Sequence, residues 1–154
     1  QYVQMMGRGL ISVDASSGKL LWSYNRVANG TANIPTPIVR GDHVFCSTGY
    51  GTGAALLKVQ AGAHAVEEVY FLNSKKLQNH HGGMILLGDY LYCGHGHGSG
   101  LPICIDFASG KPPGVRHVVP VTVLQPSSMP MGTCTSATKT AKSRWWKRRR
   151  TNTV

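Results

Sequence analysis

Four histidines fall in two tight pairs: His80 and His81 are adjacent, and His95 and His97 sit in the glycine-rich stretch CGHGHGSG. Neutral imidazoles ligate transition metals, so two such pairs brought to one place would offer a nitrogen set for an ion of that kind. The plainer role for glycine-flanked histidines is as polar loop residues, some bonded to backbone carbonyls. No Asp or Glu accompanies them in either stretch. His80, His81, His95 and His97 are therefore the candidate metal ligands of this sequence.

Other residues invite chemistry and lose it on inspection. GYGTGA (residues 49–54) spells G-x-G-x-G, but a phosphate-binding fingerprint needs a helix next, and ALLKV reads as a strand. Asp14 and Asp106 stand at matching places in VDASSGK and IDFASGK, which argues for turn capping over acid–base work. Glu67 and Glu68 open an edge strand and read as solvated. Asn29-Gly30-Thr31 fits a glycosylation acceptor, relevant only in a eukaryotic secretory host. Cys46, Cys93, Cys104 and Cys134 show no C-x-x-C or zinc spacing. Cys93 and Cys104 would face one another on paired strands or be buried free thiols, the second being preferred.

The elements that must position these residues are short alternating apolar runs separated by Gly, Asp and Ser turns, so the expected class is all-β. Two motifs recur. LISVDASSGKLLW (10–22) returns as PICIDFASGK (102–111), and PIVRGDHVFCS (37–47) returns as ILLGDYLYCG (85–94). Asp14 and Asp106 are 92 residues apart and Gly41 and Gly88 are 47 apart, close to two periods and one, so both report a period of about 46 residues. Gly41-Asp42 and Gly88-Asp89 read as hairpin turns. Asp14 and Asp106 would cap backbone N–H groups, with Gly18 and Gly110 at positive φ. Strands are expected at Thr36–Val39, His43–Ser47, Ala55–Gln60 and Val66–Leu72, then at Gly83–Leu87, Tyr90–Gly94 and Pro102–Phe107. In an up-and-down sheet of four strands, the loops carrying the two histidine pairs leave on the same side. Four strands per repeat point to a β-propeller blade, with Trp22, Tyr24, Phe45, Tyr70 and Tyr92 as core between blades.

VDASSGKLLW resembles the repeat of quinoprotein-like propellers, the pyrroloquinoline-quinone (PQQ) dehydrogenase-like superfamily, over residues 1 to about 111. Asp, Gly-Lys and Trp recur in each blade of that family, and Asp14, Gly18 and Trp22 occupy those places here. The resemblance implies a partial propeller of two to three four-stranded blades, packed against remaining blades of a longer parent chain. It also implies a periplasmic, cell-envelope or secreted location. True PQQ dehydrogenases of the family would hold the quinone, a calcium ion, an Asp base and often an adjacent Cys-Cys ring. This sequence has no adjacent cysteines, and no Asp matches that base.

The C-terminal part is a different kind of sequence. Residues 1–110 carry seven Lys/Arg and all six Asp/Glu, whereas residues 111–154 carry nine Lys/Arg and no acid. The tail ends in SRWWKRRRTNTV, which as a basic arm would contact phosphates and stack bases. The codon table favours another origin. Trp22 lies eight residues after Asp14; the residue eight after Asp106 is Gly114, whose codon begins GG. A Pro113 codon ending in T makes the straddling triplet TGG, tryptophan in the place the repeat demands. Continued in that frame, Met131-Gly132 forces Gly, Trp145-Trp146 forces Val and Trp146-Lys147 forces Glu. From Ser127 onward the frame permits IYADGHLYLRYENGKVALVEA, with strand alternation and two hairpin signals. Residues 112–154 are thus expected to be a frameshifted read of a further blade, disordered as written.

The chain begins at Gln1 with strand-like YVQMM at once, so it is expected to be a piece of a longer protein. No signal peptide or apolar run of membrane-spanning length occurs. The expected function is non-catalytic: a scaffold for protein, peptide or glycan partners, without specific nucleic-acid binding. The alternatives are part of a PQQ- and calcium-dependent alcohol or sugar dehydrogenase, and nucleic-acid binding by the tail.

Overall fold

The computed structural model describes residues 1–62 and 64–113. They form ten strands and, among the described residues, no helix. The strands are β1 (Tyr2–Met6), β2 (Gly9–Val13), β3 (Leu20–Tyr24), β4 (Ile38–Arg40), β5 (His43–Thr48), β6 (Gly53–Val59), β7 (Val66–Asn73), β8 (Met84–Leu87), β9 (Tyr90–His95) and β10 (Leu101–Asp106). They build three antiparallel sheets in chain order: β1-β2-β3, β4-β5-β6-β7 and β8-β9-β10. The basic tail lies outside the described residues from 114 onward, and its expected disorder with it.

The hairpins follow from two-residue Gly-Asp turns. Arg40 pairs with His43 and Leu87 with Tyr90, leaving Gly41-Asp42 and Gly88-Asp89 between the strands. Only the glycine of each pair has positive φ, 60° at Gly41 and 59° at Gly88, as a type II′ turn requires. β4 starts two residues later than its sequence pattern implied. Pro37 precedes it, and a proline has no N–H to give to a ladder.

The longer β2–β3 turn is closed by Asp14, whose Oδ1 accepts the N–H groups of Ser16 (3.1 Å) and Ser17 (2.7 Å). Its counterpart Asp106 accepts from Ser109 N–H at 2.8 Å. In both turns the Asp N–H and O close the loop, onto Lys19 and Gly18 in the first and Lys111 and Gly110 in the second. These hydrogen bonds, led by the serine hydroxyls, hold both carboxyls below the usual carboxylate range. The β6–β7 turn lacks an Asp but keeps the main-chain bridge, from Gln60 N–H to Ala65 O at 3.0 Å.

Strand alternation gives the central sheet two apolar faces. Val44, Cys46, Ala55 and Leu57 pack against Met5, Leu10 and Trp22 of the first sheet. Phe45, Ala54, Leu56 and Leu72 pack against Met84, Leu91, Cys93 and Ile105 of the third. Tyr24 and Tyr70 join these cores at their edges. The third sheet repeats the register of the second: Ile85 pairs with Tyr92 as Ile38 pairs with Phe45. Phe45 is fully buried, but Tyr92 is only half-buried and Ile85 is 65% exposed. The far face of the third sheet therefore presents the apolar positions that the second sheet buries against its neighbour.

Polar clamps tie successive sheets together. Arg40 bonds Gly88 O (3.2 Å) and Asp89 Oδ1 (2.6 Å) across the second junction. Asp42 instead pairs with its neighbour His43 at 2.6 Å. Tyr70 donates to Phe107 O at 2.9 Å, beside Gly110, where a Cβ would come within 2.9 Å of the ring. Glu68 corrects its sequence reading. It is a clamp at the first junction, accepting from the Tyr24 hydroxyl and from Arg26. Partial burial against Tyr24, not edge solvation, fixes it there, and burial together with this carboxylate pushes the Tyr24 phenol up. Cys93 and Cys104 do not face one another: Cys93 pairs with Ile103 and Cys104 with Tyr92, on opposite faces of the sheet. Cys46, Cys93 and Cys104 are free thiols, and burial pushes Cys46 and Cys93 up to about 12.

Candidate functional site

The β5–β6 loop, the β7–β8 connection and the β9–β10 loop all leave the sheets on one side, because each follows an even number of reversals from the next. Their side chains meet. The His80 ring centroid lies 3.8 Å from that of His81 and 4.5 Å from that of His97. Tyr50 joins them, 4.6 Å from His80 and 4.4 Å from His97. Of the four candidate histidines, His80, His81 and His97 come together.

His95 does something else. Its Nδ1 accepts the Gln78 N–H at 3.2 Å, so that nitrogen is unprotonated and committed to the backbone. Gln78 ties the three loops: its main-chain O accepts from Gly96 N–H and its side-chain O from Gly51 N–H, both at 3.0 Å. Asn79, buried beside it, takes a bond from its own N–H to Ser47 Oγ at 3.1 Å and closes the turn to Gly82. Sequence reading missed Gln78 and Tyr50. A signal for Tyr50 lay in its neighbours, since glycine-rich loops bring backbone close to other groups. Gly49 does so here: a Cβ on it would meet His80 Cβ at 3.0 Å and Cα at 3.1 Å.

His80 is the inner member. It is half-buried, and its Nε2 is closed to solvent with no hydrogen-bond partner. Loss of water, followed by the neighbouring His81 and His97, pushes its pKa down. His81, His97 and Tyr50 are exposed. As the rings lie, no three His, Cys, Asp or Glu side chains among the described residues are gathered to hold a metal ion. Tyr50 has φ of 56°, positive φ that glycine adopts freely and a bulky residue does not; among the described residues no other non-glycine shares it. Such strain persists where the surroundings impose it, and it clusters at binding sites.

The remaining candidates have structural posts. Asp14, Asp106, Gly18 and Gly110 build turns, and Gly41, Asp42, Gly88 and Asp89 lie in hairpin turns at the other end of the sheets. Trp22 is core, 5% exposed. G-x-G-x-G enters strand β6, not a helix. Asn29 uses its side-chain N–H to bond Ala32 O at 2.8 Å, so the sequon amide is part of the loop. A cleft of about 990 Å³ opens at the end away from the histidines, lined by Tyr2, Val39, Asp42, Lys58 and Glu67 among others. No helix among the described residues is long and apolar enough to cross a membrane. No family model, curated protein or solved structure matches the chain.

Proposed function

We propose that this chain is a run of blades from a PQQ-like β-propeller and that its role is non-catalytic. It presents the loop side, around Tyr50, His80, His81 and His97, to a protein, peptide or glycan partner in the bacterial envelope or outside the cell. The observation that carries the reading is the make-up of that cluster: four aromatic rings, three of them exposed, with no carboxylate among them. Ring faces with polar edges recognise sugars and peptide side chains; proton transfer and hydride chemistry need a positioned base. Support for the blade reading comes from the two sheet junctions and the exposed third face at Ile85 and Tyr92. The tail is proposed to be a frameshifted blade, not a nucleic-acid arm.

Dehydrogenase chemistry fits these residues poorly. A bound PQQ would supply hydride acceptance and calcium would polarise it, but calcium wants several oxygen ligands. Asp14 and Asp106 are spent on their own turns, Asp42 and Asp89 lie at the far end, and Glu68 is held by Tyr24 and Arg26. Among the described residues, no carboxylate stands on the histidine side to hold calcium or to serve as the base.

The test uses the frame-restored protein on peptide and glycan arrays. A ligand is expected that is lost on Tyr50→Ala and on His97→Ala, both exposed positions, while the thermal midpoint is kept. Dye-linked alcohol oxidation after loading with PQQ and calcium would overturn the scaffold reading, as would arrays on which both variants bind as well as the parent.

A further inference from the structure

The fold leaves His80 Nε2 buried and unanswered. Buried polar atoms are almost always paired, so an unpaired one marks the place of an absent partner. The rings packed against His80 are two more imidazoles and a phenol, and none of the three loops carries a carboxylate. Each neutral imidazole keeps one unprotonated nitrogen, so three of them gathered at one place can turn three lone pairs toward a single point. A cation answers all of them at once.

We propose that His80, His81 and His97 take up one divalent transition-metal ion of the zinc class, leaving a fourth coordination position open toward solvent. An all-imidazole donor set selects zinc, copper or nickel over calcium and magnesium, which demand oxygen. Zinc–nitrogen bonds of about 2.0–2.1 Å in a tetrahedral site place ring centroids roughly 5 Å apart. The three rings now stand 3.8 and 4.5 Å apart along the His81–His80–His97 row, so binding opens the cluster by about an ångström and turns the nitrogens inward. The backbone permits this unevenly. His80 is rooted against Gly49 and is the fixed ligand. His81 precedes Gly82-Gly83, and His97 lies between Gly96 and Gly98, both at positive φ, so these two swing in. Tyr50 covers His80 and His97 from the side and limits access to the ion. His95 is excluded because its Nδ1 holds the Gln78 N–H.

The metal site rests on the three loops alone and does not depend on the scaffold reading. Its test is calorimetric titration of the reduced, untagged full chain with Zn²⁺ at pH 7.5, with Co²⁺ absorbance as a second readout. One ion per chain is expected, with a cobalt spectrum lacking the sulfur charge-transfer band that Cys46, Cys93, Cys104 or Cys134 would give. His81→Ala and His97→Ala lie on exposed loop residues, and each should weaken binding at least about tenfold, the loss that even outer-shell changes bring. His64→Ala, on the far turn, should leave it unchanged. No saturable binding, a sulfur band, or full affinity in the His81→Ala/His97→Ala double variant would each overturn the proposal.

Discussion

Phe45→Ala is expected to destabilise the chain by about 3–5 kcal/mol, enough to consume most of the stability of a domain this size. Phe45 is fully buried at the junction of the second and third sheets, among Leu56, Leu72, Leu91 and Ile105. Its ring stands 6.5 Å from that of Phe107. Strands from two sheets meet around it, so the cavity left by truncation has rigid walls and closes little. The matched control is Tyr92→Ala. Tyr92 holds the same register position one sheet later but faces outward and half-buried, so its loss should cost about 1 kcal/mol or less in this chain. Urea unfolding of both variants reads the difference. Equal midpoints would mean that the third face is as covered as the second, contrary to the exposure of Ile85 and Tyr92.

Gly53→Ala should be nearly as damaging, by about 2–5 kcal/mol, for a reason unrelated to apolar burial. Gly53 has φ of 141°, and a Cβ there would sit 2.2 Å from Leu72 O. That oxygen is backbone and belongs to the β6–β7 ladder, where Gly53 pairs with Asn73 and Ala54 with Leu72. The methyl therefore cannot be accommodated without parting the first rungs of the ladder. Gly9 occupies the same place at the start of β2, with a Cβ position 2.4 Å from Tyr24 O. Gly51→Ala is the control: φ is also positive, at 79°, but nothing lies within 4 Å. It should carry only the left-handed backbone penalty of about 1–2 kcal/mol. Thermal midpoints that fall equally for Gly51→Ala and Gly53→Ala would refute the steric explanation.

Gly53 shows why some of the fold was legible in the sequence and some was not. Strands, their order and the Gly-Asp and Asp-Ser-Gly turns are encoded locally, by alternation over a few residues and by side chains that bond their own backbone. The seven strands read between Thr36 and Phe107 all form, with ends shifted by one or two residues where proline or a neighbouring ladder decides. Contacts between segments are not local. Glu68 reads as a surface acid until Tyr24 and Arg26 arrive from another sheet. Gln78 reads as a linker residue until three loops converge on it. In the candidate site, the histidine pairs and their common side followed from loop order. The split between His95 and the other three followed only from the hydrogen bond to Gln78, and Tyr50 only from its conformation. A repeat is legible because it is local pattern written more than once; a site is legible only in part because it is assembled from different copies.

The most direct measurement is the nucleotide sequence of the gene across codons 108–118, continued to a stop. The repeat reading predicts a missing or extra base whose correction restores Gly-Lys-x-x-Trp after Asp106 and a further blade beyond it. That blade would then cover Ile85 and Tyr92. A clean single-frame read encoding PPGVRH and the basic tail as they stand would contradict it, and the tail would then be an expressed arm to be assayed against nucleic acid.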